Sequence, residues 1–394
     1  MSDYVESKLY DLECLSPVHI GSGEVLKSYM YLYDRRAQMV YFLNEHRWVT
    51  FLAVHGLMEK LENYVSRAAM GRERKNLWEW LLEQGASPEE LSELAGSRAQ
   101  ASTHTVYSDK GTLNDIARNI KLVDGRPYIP GSSLKGVLRT GILGAIIKAH
   151  PAEYGEYEKA LECGLKGWNP RKEWRRTADA LEERAFLKLD GKKGNRADAV
   201  NSVLRGLQVS DGVCVGPAAD TIVLQKTDAS TYANKLGQRE KDLPLFRECI
   251  APGQRFRFRL TLDRRFLKPL GIDSLQEILT MSRAFMQEGL QRQQTAFGAY
   301  YPEQFAMAEQ ADFFLGGGTG FLTKSLYYQL VPSEMRALPM LKKYFDVVFS
   351  KNRVPLHQHE KLDGKLSPRT LKLVQNGRDT FLMGLCRMQE VPSC

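Results

Sequence analysis

Residues 131–139 read Gly-Ser-Ser-Leu-Lys-Gly-Val-Leu-Arg, and their types converge on phosphate chemistry. Tyr128-Ile129-Pro130 ends an extended run. Ser132 or Ser133 can cap the helix that the spacing of Leu134, Val137, Leu138, Ile142, Ile146 and Ile147 predicts. Lys135 then falls in the first turn, beside the positive end of the helix dipole, at a cost of roughly 0.3–1 kcal/mol unless an anion joins it. Arg139 follows one turn later on the same side. Free N–H groups, two hydroxyls and two cations at one helix start make a phosphate site. The run is not a Walker A loop, where the lysine directly follows the second glycine. A capped helix with two solvated charges is the alternative.

Two more glycine-rich segments carry the same chemistry. His19, Gly21, Ser22 and Gly23 lie in residues 15–24, after a strand-like run at 8–14. Gly316, Gly317, Gly318, Thr319 and Gly320 form the other, with Lys324 behind them. Glycines allow positive φ and close approach to a ligand, and consecutive N–H groups in such a turn form an anion-binding nest. Residues 255–260 alternate strictly, with Phe256, Phe258 and Leu260 on one face of a strand. Arg255, Arg257 and Arg259 share the other face, spaced by roughly 6.8 Å, which suits either a phosphodiester backbone or a solvated surface.

The bulk properties allow an acidic partner. The chain has 394 residues and a formal charge of +8, enough length for two or three domains. No apolar run reaches membrane-spanning length, so no membrane partner is expected. Six scattered cysteines without a Cys-x-x-Cys pair suggest a reduced, cytoplasmic protein. His357 and His359 are the closest histidine pair and read as solvated surface, so neither a metal nor another cofactor is expected.

The elements that must position these residues alternate between strands and helical inserts. Residues 29–33 and 39–43 predict a hairpin, and its Tyr29, Tyr31 and Tyr33 are either a packed stripe or a stacking platform for bases. Residues 50–118 read as a helical insert with Leu77, Trp80, Leu81, Leu91 and Leu94 packing, and with Ser87 and Pro88 starting a helix. A second, basic helical insert spans 150–206, with a loop at 190–196. Strands are expected near 206–211, 221–226 and 255–260, a helix over 274–291, and a β-rich C-terminal region. The order predicts an α+β fold.

Together, residues 128–139, the segment 316–321 with Lys324, and residues 15–24 resemble the RAMP superfamily of CRISPR ribonucleoproteins. With the helical inserts and residues 367–372 they look most like its fifth Csm subunit family, which caps the type III-A effector at the guide RNA's 3′ end. The resemblance implies tandem ferredoxin-like (RRM-like) RAMP domains with helical insertions: an N-terminal domain over 1–149, the basic insert at 150–206 and a C-terminal domain over 207–394. It implies a guide RNA (crRNA) and a target RNA as partners. A neighbouring Csm backbone subunit, a small helical Csm subunit and a host nuclease that trims the guide complete the set. Residues 226–247 correspond to the thumb-like hairpin of related subunits.

Related backbone subunits cut RNA with an Asp that falls here among Lys27, Ser28 and Tyr29, none a carboxylate. The resemblance therefore implies a non-catalytic subunit serving guide maturation and antiviral interference. The rival is a metal-independent endoribonuclease using His19 as base. A nucleotide-binding enzyme using loop 316–320 is a third reading.

Overall fold

The computed structural model describes residues 4–102, 113–189, 199–216, 220–233 and 237–392. From the N-terminus come strands β1 (Val5–Cys14), β2 (Gly21–Leu26), β3 (Tyr31–Asp34) and β4 (Met39–Leu43). Helices α1 (Glu45–Val54), α2 (Met58–Ala69), α3 (Leu77–Glu83) and α4 (Pro88–Glu93) follow, then β5 (Ala95–Ser102) and β6 (Ile116–Asn119). The long α5 (Gly131–Ala149) leads into α6 (Pro151–Gly164) and α7 (Pro170–Phe186). Next are β7 (Leu207–Val209), β8 (Val213–Cys214), β9 (Thr221–Ser230), β10 (Glu240–Ile250), β11 (Arg255–Asp263), the short α8 (Arg264–Leu267) and the long α9 (Leu275–Phe297). The remainder holds α10 (Pro302–Glu309), β12 (Phe313–Phe314), α11 (Tyr327–Leu330), α12 (Glu334–Val348), β13 (Ser350–Lys351), β14 (Val354–Pro355), α13 (His359–Leu362), β15 (Thr370–Asn376), β16 (Asp379–Leu382) and β17 (Leu385–Glu390).

The alternation in β11 does what its sequence demands: Phe256, Phe258, Leu260 and Leu262 are buried and the arginines face outward. This strand pairs antiparallel with β1 in a six-stranded sheet of order β12-β17-β1-β11-β7, with β8 also on β11. Its apolar face meets α5, α6, α7 and α9 in the largest core, around Leu12, Leu138, Ile142, Trp174, Phe258 and Ile278. In chain order β1, α5, β7, β11, α9 and β17 follow the β-α-β-β-α-β pattern. That arrangement belongs to the first sheet; the second sheet has a different strand order.

The second sheet has nine strands, running β2-β6-β10-β9-β5-β4-β3, with β15 on β9 and β16 on β15. Leu26 of β2 and Tyr31 of β3, from the two ends of that order, share one core cluster with Phe42, Ile116 and Phe246, so the sheet is curled. Tyr31 and Tyr33 are inside it, which removes them as a stacking platform. Strands cross both expected boundaries: the first sheet joins residues 5–14 to 255–263 and 385–390, and the second joins 21–43 to 221–250 and 370–382. Nor is the first insert helical to residue 118, because β5 and β6 lie within it.

Local signals hold where they depend on neighbours in sequence. The hairpin forms as β3 and β4, Ser87 caps α4 with a reciprocal Glu90 bond, and Ser274 caps α9. Helices α1–α4 bury Phe51, Leu52, Leu77, Trp78, Leu81 and Leu91 against Leu32 of β3. Trp78 fills the core position; Trp80 stays half-buried at its edge. The basic loop 190–196 lies outside the described residues.

Candidate nucleic-acid interface

The two glycine-rich segments from opposite ends of the chain interlock. Gly317 N–H donates to His19 O at 2.6 Å, Leu315 N–H to Gly384 O at 2.7 Å and Gly384 N–H to Pro17 O at 2.9 Å. Gly316 has φ +82° and stands so close that a Cβ there would lie 2.2 Å from His19 O. Only glycine fits, and the reason is approach to another backbone strand. The loop is closed from behind by Lys324, whose Nζ donates to Gly316 O, and by a Thr319 Oγ1–Thr323 Oγ1 bond of 2.8 Å.

His19 is buried beneath this junction and binds Glu248 O through Nδ1 at 2.7 Å. A carbonyl only accepts, so Nδ1 carries the proton. Burial and, secondarily, the nearby Arg247 cation hold its pKa below the ordinary histidine value. His19 is therefore a neutral pin between two loops, with Nδ1 committed to a backbone carbonyl. The exposed part of its segment is Gly21, Ser22 and Gly23, the start of the edge strand β2, irregularly paired with β6. Gly21 sits directly over the ring, 3.4 Å from His19 Nε2 to an added Cβ.

Arg247, on β10, completes the site and escaped the sequence reading. It is half-buried, and its Nη1 is buried without a hydrogen-bond partner among the described residues. A Cβ on Gly318, whose φ is +87°, would lie 3.0 Å from that nitrogen. No carboxylate makes an ion pair with Arg247 or Lys324 among the described residues. Desolvation, reinforced by Arg247, lowers the Lys324 pKa. Two uncompensated cations therefore flank residues 316–318. Next door the opposite holds: buried Glu248 accepts from Arg118 Nε at 2.7 Å, Thr221 Oγ1 at 2.9 Å and Asn119 N–H at 3.2 Å, and pairs with Lys121 Nζ at 2.5 Å. A buried carboxylate saturated in this way fixes the floor of the site and leaves no charge for a ligand.

The helix start at 131–139 has been built differently from the expectation. Neither Ser132 nor Ser133 caps α5; Pro130 is the N-cap, with no side-chain bond. The first N–H, of Gly131, donates to Asp211 Oδ1 at 2.7 Å, so a carboxylate of the protein occupies the anion's place. Gly131 is required because β7 passes overhead, 2.3 Å from an added Cβ to Val209 O. Lys135 turns inward to donate to Leu204 O at 2.8 Å, with its pKa lowered by desolvation. Arg139 pairs with Glu182 of α7 at 2.9 Å. What remains on the site side is Ser133, which with Gly136, Gly316 and Lys324 lines a cavity of about 250 Å³ between α5, α9 and the loop.

Among the described residues, Arg257 alone of the three ladder arginines has a carboxylate partner on the neighbour strand. Asp11 lies opposite Arg257 and accepts from its Nε and Nη2 at 2.7 and 2.8 Å, while Glu13, opposite Arg255, pairs with Arg387. Arg259 reaches only Ser7 Oγ at 3.4 Å. The guanidinium of Arg257 holds the Asp11 carboxyl below its ordinary pKa. Such a group stabilises the fold above its unfolded pKa, near 4, and loses that contribution as pH falls through the lower folded value. Arg257→Ala should thus lower the urea midpoint slightly at pH 7 and not at pH 2, with RNA affinity unchanged; an anisotropy titration showing weakened binding would restore the ladder as an RNA contact.

His357 and His359 are not a solvated pair. His359 is buried, with Nδ1 2.8 Å from Asp363 Oδ2, itself bound by Arg369. A carboxylate does stand beside the turn at Lys27, Ser28 and Tyr29: Asp115, which immediately precedes β6 and is held by Lys27 Nζ at 2.5 Å. Sequence distance hid it.

The RAMP superfamily model matches residues 11–305. The CRISPR system Cms protein Csm5 of Mycobacterium tuberculosis (strain ATCC 25618 / H37Rv) is 25% identical over 400 residues, covering 98% of each chain. Csm5 of Streptococcus thermophilus is 26% identical over 333 residues, 83% of this chain and 82% of its own. Among solved structures, a chain of a type III-A Csm–crRNA–target RNA ternary complex shares the fold with a TM-score of 0.63 at 18% identity, over 98% of this chain and 100% of that one. T. onnurineus Csm5 gives 0.54 at 20% identity, over 82% and 94%. The matched region takes in strands of both large sheets and most of the chain, and the chain belongs to the RAMP superfamily.

Proposed function

We propose that this protein is a non-catalytic, RNA-binding subunit of a type III-A CRISPR effector, capping the filament at the 3′ end of the guide RNA. The observation that carries the RNA-binding part is the pair Arg247 and Lys324, two cations without carboxylate partners around a glycine loop. Backbone phosphate supplies the missing counter-charge, and reading phosphates rather than base edges leaves the guide free to pair. Gly21, Ser22 and Gly23 present an exposed edge beside it, and Ser133 supplies a hydroxyl in the adjoining cavity. Two relatives similar to this chain are named Csm5 and a matching chain sits in a Csm–crRNA–target RNA complex, which supports an effector role. Residues 226–247, within the paired strands β9 and β10, are the thumb candidate beside the guide–target duplex. The neighbouring backbone subunit, the small helical subunit and an outside trimming nuclease are its proposed partners.

The residues also argue against the endoribonuclease reading. A general base must reach the 2′-hydroxyl it deprotonates, and His19 is buried with one nitrogen committed to Glu248 O. Incubating the purified chain with repeat-containing RNA, in magnesium and again in EDTA, should give binding without products. Products that disappear in His19→Ala while binding persists would replace this reading with the nuclease.

A further inference from the structure

We infer that the first helical insert carries a second site, separate from the glycine-loop site, that binds single-stranded RNA by stacking a base on Trp80 between phosphate-binding cations. The site is a cleft of about 610 Å³ between α2, α3 and the loop joining them, within the range of about 300–1,000 Å³ usual for ligand clefts. Five cations line it against two carboxylates, Glu73 and Glu83. Each carboxylate is already used: Glu73 by Arg67 at 3.3 Å and Glu83 by Lys75. Lys60 reaches only the neutral Gln84 Oε1 at 3.3 Å, and the Arg72 and Arg74 side chains make no ion pair among the described residues. Three net positive charges therefore converge on one concavity.

The aromatic wall selects the ligand class. Trp80 is half-buried, and its ring leans on Tyr64 with centroids 5.0 Å apart. Tyr64 is in turn fixed by its hydroxyl, which donates to Lys75 O at 3.1 Å. A rigid indole beside free cations is the recognition surface of single-stranded nucleic acid, where stacking and charge act together. An acidic peptide would use the cations and leave the indole idle. Trp78, two residues earlier, fills the core of the insert, so Trp80 is not needed for that purpose.

The test uses the full chain and a short oligouridylate carrying 4-thiouridine. Ultraviolet crosslinking and peptide mapping should place one crosslink in the segment containing Trp80. Lys60→Ala, Arg72→Ala and Arg74→Ala combined should abolish that crosslink and lower the salt slope of binding by about two, while leaving the melting curve unchanged. Trp80→Leu, which keeps an apolar contact to Tyr64, should weaken binding roughly tenfold with the slope unchanged. Arg247→Gln with Lys324→Gln should keep the Trp80 crosslink, so failure of the glycine-loop site and failure of this one read out separately. No crosslink near Trp80 in the wild type, an unchanged slope in the triple variant, or competition by polyglutamate with no RNA binding would each overturn the proposal.

Discussion

Arg247→Gln combined with Lys324→Gln should weaken binding of single-stranded RNA by roughly a hundredfold or more at moderate salt, since charged hydrogen bonds contribute about 1.5–3 kcal/mol each. It should also flatten the dependence of log affinity on log salt by about 1.4, the slope of two lost phosphate contacts on a single strand. Glutamine keeps a donor for the Gly316 carbonyl that Lys324 now binds, so the loop has no reason to open. Stability should not fall, because the change removes two neighbouring like charges, and desolvation already penalises that of Lys324. The combination separates binding from folding: loss of affinity with an unchanged urea midpoint supports the phosphate site. An unchanged salt slope would remove Arg247 and Lys324 from the interface.

Gly316→Val should be the most damaging single substitution at the junction. The backbone there has φ +82°, and the new Cβ would strike His19 O. Strain of about 1–3 kcal/mol for an unfavourable φ adds to about 1–3 kcal/mol for overpacking. Against a total of about 5–15 kcal/mol for a typical domain, such a loss unfolds a large share of molecules or breaks the junction open. Gly318→Val should follow, meeting Met383 Sδ at 2.7 Å and Arg247. Gly317→Ala should be mild, because its φ is ordinary and its nearest neighbour, His19 Cδ2, lies 3.3 Å from the new Cβ. Denaturation midpoints and the yield of soluble protein give the ranking. If Gly317→Ala proves as harmful as Gly316→Val, access to a ligand rather than internal fit dictates these glycines.

The sequence alone determined the parts of this protein whose causes lie within a few residues. The alternation at 255–260, the hairpin of β3 and β4, the cap at Ser87 and the helix beginning near Ser274 all form as read, because period and capping are set by near neighbours. The glycine-rich segments were legible as sites of unusual backbone, and with residues 128–139 they carried the family resemblance. Only the tertiary structure decided which charges stay free. Lys135 meets Leu204 O, Arg139 meets Glu182, Arg257 meets Asp11 and the start of α5 meets Asp211, each partner arriving from more than forty residues away. Arg247 looked ordinary because nothing near it in sequence marks it; its distinction is that packing against Gly318 leaves one of its nitrogens without a partner. Whether a cation is available to a ligand depends on the carboxylates that folding brings within a few ångströms, and Coulomb interactions at that range carry no trace in local sequence pattern.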